Sequence, residues 1–355
     1  MSEGWKKFAP YLKILARGPE SLTDLEPEVA EEAAELILRG VASPAQAGSF
    51  FLIGRAKGNS ATELAAISRA MRKFCRHIAA LHDPPVVTVS GGFDGKTRTF
   101  NLGAASSLVA AAAGGRILAL GGEDVPPKAG RTNFDALKNL GVKAPQTLEE
   151  ARISLEEYGL ATTTPEYYLP ELYSLLQLRR EMVRRTALNV SEKLVSPILG
   201  SRIMVGITHR HPFLSTVPEA LVDLGVDRAL VFQAIEGSDE APLDGNSALA
   251  WVKNGRIEEF RILPESLGLS RATKANVPWK GPEDEARHLL FALRGEEGAV
   301  SNLIIYNAAL RLWVTDEDTP LEDHVNKARE TLLFGSALEL LKQLRRPLAA
   351  MRSGV

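Results

Sequence analysis

The chain has 355 residues, a formal net charge of −2 and a single cysteine, Cys75. That length fits two domains, or one large α/β unit with an added piece. The near-neutral charge is not the footprint of a strongly basic nucleic-acid-binding domain. One cysteine excludes a disulfide framework and a cysteine-built zinc site within the chain.

Residues 1–20 carry no hydrophobic signal core. The smooth apolar run Leu108–Leu120 is broken by Gly114, Gly115 and Arg116 and is too short to span a bilayer. A soluble cytoplasmic protein is expected. The first eighty residues read as helical. "LTDLEPEVAEEAAELILRG" takes Thr23 as its N-cap and ends at Gly40. "SPAQAGSFFLIGRAKG" has Ser43 as cap, Pro44 at the first helical position and Gly58 after the end. "SATELAAISRAMRKFCRHIAAL" has a capping box, Ser60 with Glu63, and an apolar face of Leu64, Ile67, Met71 and Phe74. These short helices cannot bury all their apolar surface alone, so they pack on a larger domain or on a second copy of the chain.

At "DPPVVTVS" the period changes to that of a buried strand. A glycine turn follows, then an alanine-rich helix, a strand at "RILAL", the loop "GGEDVPPKAGRT" and the helix "NFDALKNLGV". This alternation belongs to a parallel α/β sheet. Helices return around "PELYSLLQLRREMVRRTALN". Strands recur at "RIMVGIT" and "RALVFQAI", separated by the helical "FLSTVPEALVDLGV". "SALAWVKNGRIEEFRI" reads as a hairpin turning at Asn254-Gly255, and the remainder is helical.

Four stretches carry candidate chemistry. A turn between a strand and a helix N-terminus aims free N–H groups at one spot, which suits a phosphate, and Lys96 and Arg98 add charge. The same glycines equally suit a tight turn with no ligand, and "GGFDGKTRTFN" matches neither a P-loop nor a dinucleotide fingerprint. Asp239-Glu240 follow a strand, where an open α/β sheet places ligands; they read as hard oxygen ligands for Mg²⁺ or as an acidic surface loop. Arg179, Arg180, Arg184 and Arg185 read as anion-binding groups or as a solvated helix face. His209 and His211 read as loop histidines after a strand.

The order and spacing of "SPAQAGSFFLIGRAKGNSATELAAISRAMR", "GGFDGKTRTFNL", "PPKAGRTNFDALKNLGV", "LVDLGVDRALVFQAIEGSDE", "RILPESLGL" and "YNAALRLWV" resemble the anthranilate phosphoribosyltransferase family of nucleoside-phosphorylase-like glycosyltransferases. The resemblance runs from about Leu22 to the C-terminal helix. It implies an α/β fold: a small N-terminal α-helical domain over 1–82, with helices of about 165–190 packing on it, and a large α/β domain over 83–355 with a mostly parallel central sheet and C-terminal helices. It also implies a homodimer through the helical domain. The expected site takes phosphoribosyl pyrophosphate at the glycine loop with Mg²⁺, and a small acidic or aromatic acceptor. Gly91, Gly92, Asp94, Gly95, Lys96, Thr99, Asn101 and Lys128 would surround phosphate and ribose, Arg179 the acceptor, and Asp239 and Glu240 the metal.

The chain departs from the family pattern at several of these places. Gly-Thr-Gly-Gly-Asp-Gly becomes Gly91-Gly92-Phe93-Asp94-Gly95, with one extra residue before Thr99-Phe100-Asn101. Ile-Ser-Thr, whose serine touches metal, becomes Leu102-Gly103-Ala104. Lys-His-Gly-Asn-Arg becomes Leu120-Gly121-Gly122-Glu123-Asp124, and His-Pro becomes Leu169-Pro170. The resemblance is therefore to a divergent second branch. Two functions stand open: a phosphoribosyl or glycosyl transferase with a remodelled site and poor activity on anthranilate, or a non-catalytic paralogue that binds nucleic acid.

Overall fold

The structure, a computed structural model, describes residues 4–346 other than 17, 19–21 and 82. The outer ends of the expected domains, residues 1–3 and 347–355, lie outside the described residues.

The chain opens with α1 (Gly4–Leu15), α2 (Pro27–Leu38), α3 (Pro44–Lys57) and α4 (Ala61–Phe74). Ser43 caps α3 in a reciprocal box with Gln46, and Ser60 caps α4 in one with Glu63. Glu63 also accepts from the Leu25 N–H at 3.0 Å and pairs with Lys57 at 2.6 Å, so one cap ties three segments together. Thr23 is not the cap of α2; Glu26 is. Pro27, with φ fixed near helical values and no N–H to satisfy, sets the start of that helix.

The sheet and its helices follow in chain order: β1 (Val86–Ser90), α5 (Leu102–Ala112), β2 (Arg116–Leu120), α6 (Asn133–Asn139), α7 (Leu148–Tyr158) and β3 (Leu160–Thr163). The helical stretch after β3 is broken into α8 (Pro165–Tyr168), α9 (Pro170–Tyr173), α10 (Leu176–Met182) and α11 (Leu188–Ser191). Then come β4 (Arg202–Ile207), α12 (Phe213–Asp223), β5 (Arg228–Gln233), β6 (Ala248–Lys253) and β7 (Arg256–Arg261). The chain closes with α13 (Pro282–Leu293), α14 (Ala299–Thr315), α15 (Leu321–Leu333) and α16 (Ser336–Leu344).

The seven strands order as β3-β2-β1-β4-β5-β6-β7. β1 to β5 run parallel, and β6 and β7 add an antiparallel edge. The β6–β7 hairpin turns at Asn254 and Gly255, both with positive φ, as a type I′ turn requires. Strand β3 was not expected; it is four residues long and follows α7 directly, too short to show a period.

Alternation along each strand feeds two cores. Val87 and Val89 of β1, Met204 of β4 and Leu230 and Phe232 of β5 face the layer of α5, α14 and the last helices. Val86, Ile203, Val205 and Val231 face the other way, into a core continuous with Phe8, Phe51, Leu64 and Met71 of the N-terminal helices. The N-terminal helices thus bury their apolar stripes on the α/β domain itself, and α10 and α11 pack on α3 and α4. No helix among the described residues is long and apolar enough to cross a membrane.

Candidate functional site

The strand order reverses between β1 and β4, and ligands of open parallel sheets bind at the carboxyl ends of strands at such a point. The glycine loop leaves the end of β1 there. It is held chiefly by its own chain. Gly95 has φ +72 and lies where an added Cβ would overlap the Gly130 backbone. Lys96 and Arg131 exchange backbone hydrogen bonds of 2.8 and 2.9 Å, and Lys128 donates to the Gly95 carbonyl at 2.9 Å. Phe93, standing where the family pattern has a glycine, is buried in the core.

Several donors beyond Gly95 are met by carboxylates of the same chain, while the Phe100 N–H donates to the Val277 carbonyl at 3.0 Å. Glu236 accepts from the N–H groups of Thr97 and Arg98 at 3.3 and 3.1 Å and from the Thr99 hydroxyl at 2.8 Å. Glu285 accepts from the Asn101 N–H at 2.7 Å and its side-chain amide at 3.2 Å. Glu240 accepts from the Gly103 N–H at 2.9 Å. The positive end of α5, expected to face a phosphate, therefore faces internal anions. Burial would raise Glu236, but the bonds from Thr99 and the two N–H groups outweigh it and hold its carboxyl below the usual range. Burial pushes Glu240 and Glu285 up. Glu236 adopts φ 55, a left-handed conformation that costs a non-glycine residue about 1–3 kcal/mol and persists only when its surroundings hold it.

Asp239 and Glu240 come together with the loop, each against an internal cation. Arg311 of α14 pairs with Asp239 at 2.5 Å, and the Asn133 amide donates to the same Oδ2 at 3.0 Å. Lys96 pairs with Glu240. All four charged residues are buried. A Cβ at Gly103 would overlap Asp239 and come within 2.7 Å of Asn133, so the hydroxyl the family carries there has no room. No group of three or more His, Cys, Asp or Glu among the described residues could hold a metal ion. As they stand, these side chains do not fit the hydrated Mg²⁺ that the resemblance implies, an ion that keeps several waters and needs free oxygens.

Next to the loop, a cleft of about 820 Å³ opens between α3 and the end of β4. Gly92 and Asp94 line it, together with Arg55, Lys128, Arg184, Arg185 and Lys193. Asp94 accepts from Arg185, with one contact of 2.7 Å, through both of its oxygens. Two further cations rest on neutral acceptors: Arg55 on the Arg185 carbonyl at 2.6 Å, Lys193 on the Gly206 and Gly237 carbonyls at 2.7 and 3.1 Å. Arg55, Lys128, Arg184 and Lys193 form no ion pair among the described residues. Burial pushes the Lys193 ammonium down to about 8, and burial and then Arg185 push Lys128 down. His209 and His211 lie exposed in the loop after β4 and line the same cleft.

Arg179 is elsewhere. It is buried in a bidentate pair with Glu192, at 2.6 and 2.9 Å, and lines a separate cavity of about 310 Å³ with Phe93, Gly122 and Glu123. Glu123 and Asp124 are exposed, and Asp124 stands 4.0 Å from Arg180. Sequence reasoning missed Glu236, Glu285, Lys193 and Arg311, and the partner of Arg185. Arg311 alone had a local signal: a single charge in the otherwise uncharged "LIIYNAALRLWV".

Models of the glycosyl transferase family match two segments, the helical bundle domain at residues 9–75 and the a/b domain at 83–338. The anthranilate phosphoribosyltransferase of Paracidovorax citrulli is 30% identical over 90% of this chain and 92% of its own. That of Chromobacterium violaceum is 30% identical over 87% and 89%. Among solved structures, the Thermus thermophilus anthranilate phosphoribosyltransferase superposes with a TM-score of 0.80 at 28% identity, covering 99% of this chain and all of that one. The Saccharomyces cerevisiae enzyme in complex with PRPP and Mg has the same fold, with a TM-score of 0.80 at 18% identity and 97% of each chain covered. The chain belongs to the anthranilate phosphoribosyltransferase family of glycosyl transferases.

Proposed function

We propose that the protein binds a phosphorylated sugar of the phosphoribosyl pyrophosphate class in the cleft between α3 and the end of β4, and transfers from it to anthranilate poorly. The cations of that cleft, outnumbering its one acid, Asp94, carry the reading. Departure of a diphosphate from ribose C1 needs positive groups at the leaving oxygens and a held geometry. Lys128, Arg185 and Lys193 are the groups in position to supply charge. Arg184, which has no carboxylate partner among the described residues, takes the acidic acceptor in place of Arg179, whose guanidinium is committed to Glu192. The N–H donors of Thr97, Arg98, Asn101 and Gly103, turned to Glu236, Glu285 and Glu240, are lost to the leaving group. Losing one such donor costs about 10²–10³ in rate. A steady-state assay with anthranilate, phosphoribosyl pyrophosphate and Mg²⁺ should give turnover at least about a hundredfold below an ordinary ~10 s⁻¹. Turnover at the ordinary level, lost on Asp239→Asn with Glu240→Gln, would overturn this.

The exposed mouth favours a second reading. Arg55, Arg184 and Arg210 are exposed at or beside it, as nucleic-acid phosphates would require. Such binding falls steeply with salt. No retention of single-stranded or duplex DNA at low salt removes it.

We also propose that the chain pairs with a second copy through its N-terminal helices, where Trp5, Ile14 and Leu52 remain exposed. Sedimentation at micromolar concentration should give a dimer; a monomer removes the proposal.

A further inference from the structure

Arg311 is wholly buried in α14, a helix whose other inward residues are apolar apart from Ser301 and Asn307. A buried charge is stable only when paired and hydrogen-bonded. Arg311 meets that demand through Asp239, through the Asn307 carbonyl at 2.8 Å and through the Ser107 hydroxyl at 3.1 Å. One turn away, Asn307 exchanges two hydrogen bonds with the Ala241 backbone, at 2.7 and 2.9 Å. Together they clamp residues 239–241 from one side. Lys96 holds Glu240 from the other. Two carboxylates thus meet two cations in a buried cluster, with Gly103 packed against Asp239 and Asn133.

We propose that Lys96 and Arg311 replace divalent metal at the Asp239–Glu240 pair, so that the protein binds its phosphorylated ligand without Mg²⁺. The pair's negative charge is already neutralised, and a divalent ion entering beside it would stand next to an ammonium and a guanidinium. All four side chains are buried, so an ion would have to bring the waters it retains into an interior cluster. The pair's role is then to fix the loop: Glu240 takes the Gly103 N–H at the start of α5, and Asp239 anchors the segment after β5 to α14. The consequence for ligand binding rests on the cleft reading above; the consequence for metal does not.

Mn²⁺ titrated alone into the full chain and followed by electron paramagnetic resonance should show no site tighter than about 1 mM. A tighter site that disappears in Asp239→Asn would overturn the proposal. In Lys96→Gln, which leaves Glu240 without its cation, Mn²⁺ should raise the melting temperature, as it should not in wild type. If that variant does not fold, the wild-type titration still decides. Calorimetry with phosphoribosyl pyrophosphate, in EDTA and in Mg²⁺, completes the test. Binding in EDTA within about twofold of that in Mg²⁺ supports the proposal, and binding seen only with Mg²⁺ overturns it. Binding in neither removes the cleft reading and leaves the metal question to the Mn²⁺ titration.

Discussion

The glycine loop and the cleft beside it share Gly92 and Asp94, yet their charges are arranged in opposite ways. Along residues 96–103 the Lys96 ammonium, the N–H groups of Thr97, Arg98, Asn101 and Gly103 and the Thr99 hydroxyl find carboxylates of the same chain: Glu236, Glu240 or Glu285. A few ångströms away, Arg55, Lys128 and Lys193 rest on carbonyls, and a carbonyl does not cancel a charge. In the first region the donors are paired with acids of the same chain, and Lys96, Thr99 and Asn101 are buried. The second keeps its anion-binding capacity open to solvent.

The largest expected effect lies in the closed region. Arg311→Ala leaves Asp239 buried without its cation and should cost about 3–5 kcal/mol of stability. Urea denaturation measures this. Adding Asp239→Asn should recover more than half, since the uncompensated charge goes with it. A loss below about 1 kcal/mol in the single variant would mean that the pair does not hold the region together.

In the open region, Asp94→Asn should strengthen binding. It removes the cleft's one acid and releases Arg185, so pyrophosphate affinity at low salt should rise about tenfold, roughly 1.4 kcal/mol. Calorimetry giving unchanged or weaker binding would erase the contrast between the two regions.

A pH series sharpens it further. Burial depresses Lys193 to about 8, so its ammonium is charged below that pH and neutral above it. Pyrophosphate affinity should be level up to about pH 7 and decline as the pH rises through 8, and Lys193→Gln should flatten that decline. A profile that declines equally in the variant would assign the titration to another group.

The smallest effect concerns an extended ligand. If single-stranded DNA is retained, Arg55→Gln with Arg184→Gln should lower the slope of log affinity against log salt by about 1.4, from roughly 0.7 per phosphate contact. An unchanged slope would place the nucleic acid away from the cleft.

Local chemistry made much of the framework readable. The capping boxes Ser43 with Gln46 and Ser60 with Glu63 act within three residues, and the Asn254-Gly255 turn needs only its own φ preferences. The inward alternation of Val87 and Val89 announces β1 without reference to its neighbours. Where a stronger local term intervened, the reading shifted: Pro27 moved the start of α2 past Thr23. The sequence also located the glycine turn, the Asp239-Glu240 pair and the family.

Which charge meets which was decided by the tertiary structure alone. Asp239 and Arg311 are 72 residues apart, Lys96 and Glu240 are 144 apart, and Asn101 and Glu285 are 184 apart. Neither propensity nor periodicity acts over such separations. A carboxylate at the end of β5 can equally hold a hydrated metal ion or a buried arginine, and its composition is the same in both cases. The packing of α14 and α13 against α5 brings Arg311 to Asp239 and Glu285 to Asn101 within hydrogen-bond distance. The identity of the site residues is thus local chemistry, and the partners of their charges are a matter of packing.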